Sequence, residues 1–200
     1  MPATKLSTNQ TKVILASASQ IRKQMLKKHF KNIIFKDHLV NEEKIKNQIK
    51  SPKQLVSTLA REKVISIKHL FTKEIIIGAD QILVCNEKIF SKPKDLGEAK
   101  QNLLVLKNKT HILLSSIYVM KDNKFYFKKT KKAELFFKDI SISKIEHYMK
   151  TNHKTVLSTV GSYKIEDNDK YNFLKVVSGD METILGFPIA NFIRKINEEK

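Results

Sequence analysis

The run Ile75, Ile76, Ile77, closed by Gly78, Ala79 and Asp80, limits the fold more than any other stretch of the chain. Three successive β-branched residues without polar alternation describe a strand covered on both faces, because a strand with one wet face alternates apolar and polar side chains. Covering both faces of a sheet takes helices, so the run predicts an α/β fold. An acid directly after such a strand stands at its carboxyl end, where open α/β sheets build their sites, and Gly78 would let a ligand approach the backbone. Asp80 fits equally well as an aspartate that caps a turn or helix, and the run alone leaves both readings standing.

The flanking sequence supplies the helices. Residues 12–16 read as a short buried strand, and Ser17, Ala18 and Ser19 cap a helix whose Ile21, Met25 and Leu26 recur at helical spacing. A second apolar run covers residues 32–35, and the charged stretch around Asn41, Glu42 and Glu43 reads as a loop. Ser51 followed by Pro52 opens the clearest helix, with the stripe Leu55, Leu59, Val64, Ile67 and Leu70. After Asp80, residues 82–90 alternate and turn at Asn86 and Glu87. Asp95 caps a helix over residues 95–106 that turns Leu96, Ala99, Leu103, Leu104 and Leu106 inward. Residues 112–120, 124–128 and 133–137 read as strands of a meander, with turn chemistry at Lys121, Asp122 and Asn123. A helix over 141–150, a strand over 173–177 and a closing helix from Pro188 complete the reading. No repeat or linker interrupts it, so residues 12–200 form one expected α/β domain behind a polar tail, residues 1–11.

Several function classes fall away. The first apolar run, residues 13–16, is too short for a signal-peptide core or a membrane span, which predicts a cytosolic protein with no membrane association. Cys85, the one cysteine, lies in an apolar run and reads as a buried structural thiol. The formal charge of +18 raises nucleic-acid binding, but the only arginines are Arg22, Arg61 and Arg194, and the lysines are spread along the whole chain. Groove and phosphate recognition favours the forked guanidinium, so a general attraction to polyanions is expected and a specific nucleic-acid partner is not. With five glycines the chain holds no Walker loop and no dinucleotide fingerprint. It also lacks a Gly-x-Ser-x-Gly elbow, and its six histidines show no paired metal-ligand spacing.

What remains are charged residues near the ends of predicted strands: Arg22, Glu42, Lys63, Asp80 and Lys92. Ser17 and Ser19 ahead of a helix bearing Arg22 and Lys23 would cradle a phosphate with hydroxyls, backbone N–H groups and cations, or would simply cap a basic first turn. Lys92, next to Pro93, sits on a stiffened loop, and alone it reads as an ordinary solvated lysine.

Taken in order, these pieces resemble the Maf family of nucleotide pyrophosphatases, from Val13 to about Ile196. The carriers are residues 14–26, Val40-Asn41-Glu42-Glu43, Leu59-Ala60-Arg61-Glu62-Lys63, Ile77-Gly78-Ala79-Asp80-Gln81, Ser91-Lys92-Pro93-Lys94-Asp95, residues 161–166, and Gly179-Asp180 ahead of Leu185-Gly186-Phe187-Pro188. Gln20, Lys23 and Asn41 depart from the proline, arginine and aspartate usual there. The resemblance implies a long, mixed, twisted sheet flanked by helices, with a cleft between two lobes. It implies hydrolysis of a nucleoside triphosphate, with Asp80 as proton acceptor, Glu42 beside it, and both acids on a divalent cation, Mg²⁺ or Mn²⁺. Ser17, Ser19, Arg22, Lys63 and Lys92 fall to the phosphates, and a homodimer is implied. Base selectivity falls to Ile21, Gln81 and Glu166; Gln81 and Glu166 resemble the 7-methyl-GTP branch more than the dTTP and UTP branch, and Ile21 matches neither well. The competing expectation is a protein that binds nucleic acid or nucleotide without turning it over.

Overall fold

The structure, a computed structural model, describes residues 12–199; the expected tail at residues 1–11 lies outside the described residues. Its strands are β1 (Val13–Leu15), β2 (Ile33–Phe35), β3 (Ile75–Cys85), β4 (Lys88–Phe90), β5 (Lys109–Lys121), β6 (Lys124–Phe137) and β7 (Leu174–Ser178). They form one mixed sheet in the order β2-β1-β3-β5-β6-β7, with β4 paired to β3. Helices α1 (Gln20–Lys27), α2 (Glu42–Gln48), α3 (Pro52–Ile65), α4 (Leu96–Leu106), α5 (Ile142–Thr151), α6 (His153–Ser158), α7 (Asn168–Tyr171), α8 (Met181–Ile184) and α9 (Ala190–Glu198) flank it. This is the mixed α/β class that the isoleucine run predicts. Among the described residues no helix is long and apolar enough to cross a membrane.

The chain divides into two compact units. The first takes the described residues up to Asp80, Ser115–Lys131 and the chain from Leu185 on; the second takes Gln81–Leu114 and Lys132–Ile184.

In the first unit β1 pairs in parallel with β2 and with the start of β3, Val13 opposite Ile75 and Leu15 opposite Ile77. Parallel neighbours need crossover connections, which α1 and the α2–α3 pair provide. Alternation then sends Val13, Leu15, Ile75, Ile77 and Ala79 into one apolar cluster with Met25, Leu26, Phe187 and Phe192. Ile14, Ala16 and Ile76 enter a second cluster with Val64 and Ile67. Both faces of these strands are therefore dry. Phe192 of α9 also meets the rings of Phe30, Tyr126 and Phe127.

In the second unit Leu83, Leu103, Leu106, Leu135, Phe137, Tyr148 and Phe173 share one core, where the Phe137 and Phe173 rings stack 5.2 Å apart. Cys85 is buried there, as expected, with its thiol directed at the Thr110 carbonyl at 3.9 Å and its pKa raised by burial.

Four sequence expectations change. The stretch around Glu42 is a helix, α2, whose N-cap Asn41 accepts the Lys44 N–H at 3.0 Å. Asn caps as well as Asp does, so the departure at this position keeps the cap. Strand β3 does not stop at Gly78 but runs to Cys85, and residues 124–128 and 133–137 fuse into the single strand β6. Leu70 and Leu96, assigned to apolar stripes, are 49% and 46% exposed. The short helices α6, α7 and α8 span four to six residues, too few to show a period.

Candidate active site

The alternation along β3 decides what surrounds Asp80. Ile76, Gly78 and Asp80 share a parity, and Ile76 packs with Val64 of α3. A Cβ at Gly78 would lie 2.3 Å from the Ala60 carbonyl oxygen and 2.7 Å from a Val64 methyl. The glycine is thus required by the close seat of α3, and the expectation that it admits a ligand to the backbone gives way to this one. Lys63, one turn after Ala60 and Leu59, is carried onto Asp80: the ammonium is buried and lies 2.5 Å from Asp80 Oδ1.

The β1–β3 ladder ends at Leu15 and Ile77, and the β4 register begins at Leu83. Asp80 falls within the stretch left over, so it stands past the carboxyl end of parallel β1 although its own strand continues. A strand-end position was expected; a mid-strand acid beyond a shorter neighbour is found.

The same Lys63 ammonium is 2.9 Å from Glu42 Oε1, so residues 42 and 80, distant in sequence, meet on one cation. Lys46 Nζ is 3.4 Å from Glu42 Oε2, and His38 Nε2 is 3.4 Å from Oε1. Partial burial opposes ionisation of Glu42, but Lys63, aided by Lys46 and His38, outweighs it and pulls the pKa from the ordinary 4.5 to about 2. Burial, then Lys63, lowers the His38 pKa against the pull of Glu42, Asp80 and Asp37. His38 and Lys46 were not among the expected site residues. For Lys46 the signal is its spacing of four from Glu42, which becomes meaningful once α2 is recognised as a helix; His38 lies ahead of the Asn41 cap, and no helical period announces it.

Arg22 on α1 is buried and serves the backbone. Its Nη1 donates to the Ala79 carbonyl at 2.7 Å and to Ser17 Oγ at 3.4 Å, and its Nε donates to the Gly186 carbonyl at 3.0 Å. Burial lowers its pKa, and Asp80 and Glu42 oppose that shift, so the guanidinium belongs to the same charge cluster. Ser17 is buried and its hydroxyl also accepts the Ser19 N–H at 3.2 Å. Ser19 is the N-cap of α1 by position, with no side-chain cap bond.

Of the remaining expected residues, Ile21 packs against the apolar cluster of the first unit. Gln81 opens the second unit, and its Nε2 donates to the carbonyls of Thr183 at 3.0 Å and Ile184 at 2.8 Å, tying β3 to α8. Lys92 is exposed ahead of buried Pro93, and Glu166 is exposed in the 3-10 turn Ile165–Asp167. Ser17, Arg22, Glu42, Lys63 and Asp80 thus come together within the first unit, while Lys92, Gln81 and Glu166 belong to the second.

A nucleoside triphosphate pyrophosphatase of Pelagibacter ubique is 33% identical over 193 residues, covering 93% of this chain and 95% of its own length. A 7-methyl-GTP pyrophosphatase of Bartonella henselae is 32% identical, covering 92% and 93%. A dTTP/UTP pyrophosphatase of Bacillus cytotoxicus is 31% identical, covering 94% and 95%. Residues 12–199 match the family described as Maf-like protein. The chain belongs to the Maf family.

Proposed function

We propose that this chain hydrolyses a nucleoside triphosphate to the nucleoside monophosphate and pyrophosphate. The observation that carries the reading is the meeting of Asp80 and Glu42 on the buried Lys63 ammonium, with Arg22 bracing the adjacent Ala79 carbonyl. The pyrophosphatase names of the relatives support the same reaction.

In the reaction a water attacks the α-phosphorus, its proton passes to Asp80, and the bond from phosphorus to the bridging oxygen breaks to release pyrophosphate. Asp80 suits the role because its place within the long strand β3 and its bond to Lys63 hold the carboxylate still. Lys63 also keeps the two acids from repelling each other, and Glu42 stays ionised through the neutral range. Arg22 has Nε and Nη1 committed to carbonyls and Ser17, so Nη2 is the part of its fork for phosphate. Ser17, Ser19, Lys63 and Lys92 complete the phosphate ligands in this reading.

Asp80 and Glu42, brought together by Lys63, are hard oxygen donors of the kind Mg²⁺ and Mn²⁺ take, so the chemistry of the residues present fits a divalent cation. Asp80 and Glu42 would hold it, and when bound it supplies neutralisation of the triphosphate charge. Base choice falls to Ile21, Gln81 and Glu166. A carboxylate at 166 favours a positively charged methylated purine, which points to 7-methyl-GTP, and Gln81 acts through the α8 turn it holds. A homodimer in the cytosol, without a specific nucleic-acid partner, belongs to the same reading.

The test is pyrophosphate release from 7-methyl-GTP, GTP, dTTP and UTP with Mg²⁺ or Mn²⁺. Asp80→Asn should lower kcat by about 10²- to 10⁴-fold, the usual contribution of a general base. Unchanged turnover in Asp80→Asn removes the mechanism, and tight nucleotide binding without turnover in the native chain marks a sensor instead.

A further inference from the structure

The segment that carries Glu166 is held from below by side chains that the reaction does not use. Before it, Asn102 Nδ2 of α4 donates to Ser162 Oγ at 3.5 Å, and His111 Nε2 of β5 lies 2.5 Å from the Tyr163 hydroxyl. After it, the Asn168 side chain bonds both backbone groups of Leu174, at 2.7 and 3.1 Å. In the middle stands Tyr148 of α5. Its hydroxyl donates to Asp167 Oδ2 at 2.6 Å and accepts the Lys164 N–H at 3.3 Å.

Those two partners flank Glu166 on either side. Glu166 is exposed, and among the described residues its carboxylate makes no hydrogen bond or ion pair, so the path of its backbone sets where it points. The hydroxyl that straddles positions 164 and 167 fixes that path. Burial, then Asp167, raises the Tyr148 pKa, so the hydroxyl stays a donor throughout the working pH range. The ring is seated independently, against Phe173 at 5.0 Å and Tyr171 at 4.9 Å.

We propose that the Tyr148 hydroxyl is a positioning group for Glu166 and thereby sets how sharply this enzyme chooses its base. The inference rests on the reading of Glu166 as a base-selective residue. Tyr148 touches no substrate in this account; it acts by limiting the directions the Glu166 carboxylate can take. Its removal therefore acts on KM for the favoured nucleotide and leaves kcat and the disfavoured nucleotides nearly untouched. A hydroxyl that merely caps the turn would change melting temperature and leave base choice alone.

The experiment measures kcat and KM for the four-nucleotide panel in the full chain and in Tyr148→Phe, Asp167→Ala, Asp167→Asn and Glu166→Gln, with a melting curve for each. Tyr148→Phe should reduce the kcat/KM ratio between best and worst nucleotide roughly tenfold, equivalent to about 1.4 kcal/mol. Asp167→Ala, which leaves the buried ring in place, should repeat that loss, and Asp167→Asn, which retains an acceptor oxygen, should restore much of it. Combined with Glu166→Gln, Tyr148→Phe should cause no further loss, because the two act through one carboxylate. If Glu166→Gln collapses the ratio while Tyr148→Phe and Asp167→Ala leave it within about twofold of native, the positioning role is wrong and the Glu166 reading survives. If Glu166→Gln leaves the ratio unchanged, the Glu166 reading fails and the positioning role falls with it.

Discussion

Around Asp80 the polar side chains of the first unit carry full charges apart from the Ser17 hydroxyl, whereas the buried polar side chains around Tyr163 in the second unit are neutral. Lys63 lies 2.5 Å from Asp80 and 2.9 Å from Glu42, and both acids oppose the shift that burial imposes on Arg22. Asn102, Ser162, His111 and Tyr163 exchange neutral hydrogen bonds. The contrast separates two uses of burial. Charges taken out of water are costly to hold and react strongly to another charge, which suits a site for a polyanion. Neutral bonds cost less and hold direction, which suits a segment whose shape must persist.

The largest test of this contrast sets Lys63→Met against Tyr163→Phe. Removing the ammonium leaves Asp80 buried without its cation and should cost about 3–5 kcal/mol, the usual loss when one partner of a buried pair is deleted. Removing the Tyr163 hydroxyl breaks a neutral bond and leaves the buried His111 Nε2 without that partner, and should cost about 1–3 kcal/mol. Urea unfolding of both variants measures the difference, and equal losses would abolish the distinction.

Gly78→Ala should cost about 1–3 kcal/mol, because the added carbon meets the Ala60 backbone and helix α3 must shift. The shift displaces Lys63, so activity should fall together with melting temperature. Retained activity at reduced stability would show that the charge cluster tolerates movement of α3.

The smallest effects lie in the pH dependence of stability, where the units respond in different windows. Burial pushes His111 from the ordinary 6.5 to about 4, so its contribution is whole above pH 6.5 and is lost as the pH falls toward about 4. Glu42 goes from 4.5 to about 2, so its contribution is whole above 4.5 and is lost between there and about 2. Denaturation midpoints across pH 7 to 2 should show both slopes. His111→Gln should flatten the upper slope alone, and Glu42→Gln the lower.

Much of the fold was legible from patterns. The isoleucine run marks a doubly covered strand, Ser51 and Pro52 mark the start of α3, and Asp95 caps α4 with a bond to the Glu98 N–H at 2.8 Å. Helix α2 is not legible in the sequence because Glu42 to Gln48 buries none of its residues, so no apolar stripe announces it. The extent of β3 is not legible because Gly78 has the character of a stop, when it is a gap for α3.

The candidate site divides the same way. Residue types suited to triphosphate chemistry, Asp80, Glu42, Lys63 and Arg22, stand in the sequence in a recognisable order. That Lys63 joins the two acids, and that Arg22 spends most of its fork on the carbonyls of Ala79 and Gly186, appears in no spacing.

By itself the sequence determined the elements whose cause is local: caps, turns and the period of the apolar residues, each set by neighbours within a few positions. Only the tertiary structure decided which charges meet. Contacts over 17 residues, as from Lys63 to Asp80, and over 164, as from Arg22 to Gly186, depend on how closely a helix can approach a strand, and that distance is set by packing rather than by pattern.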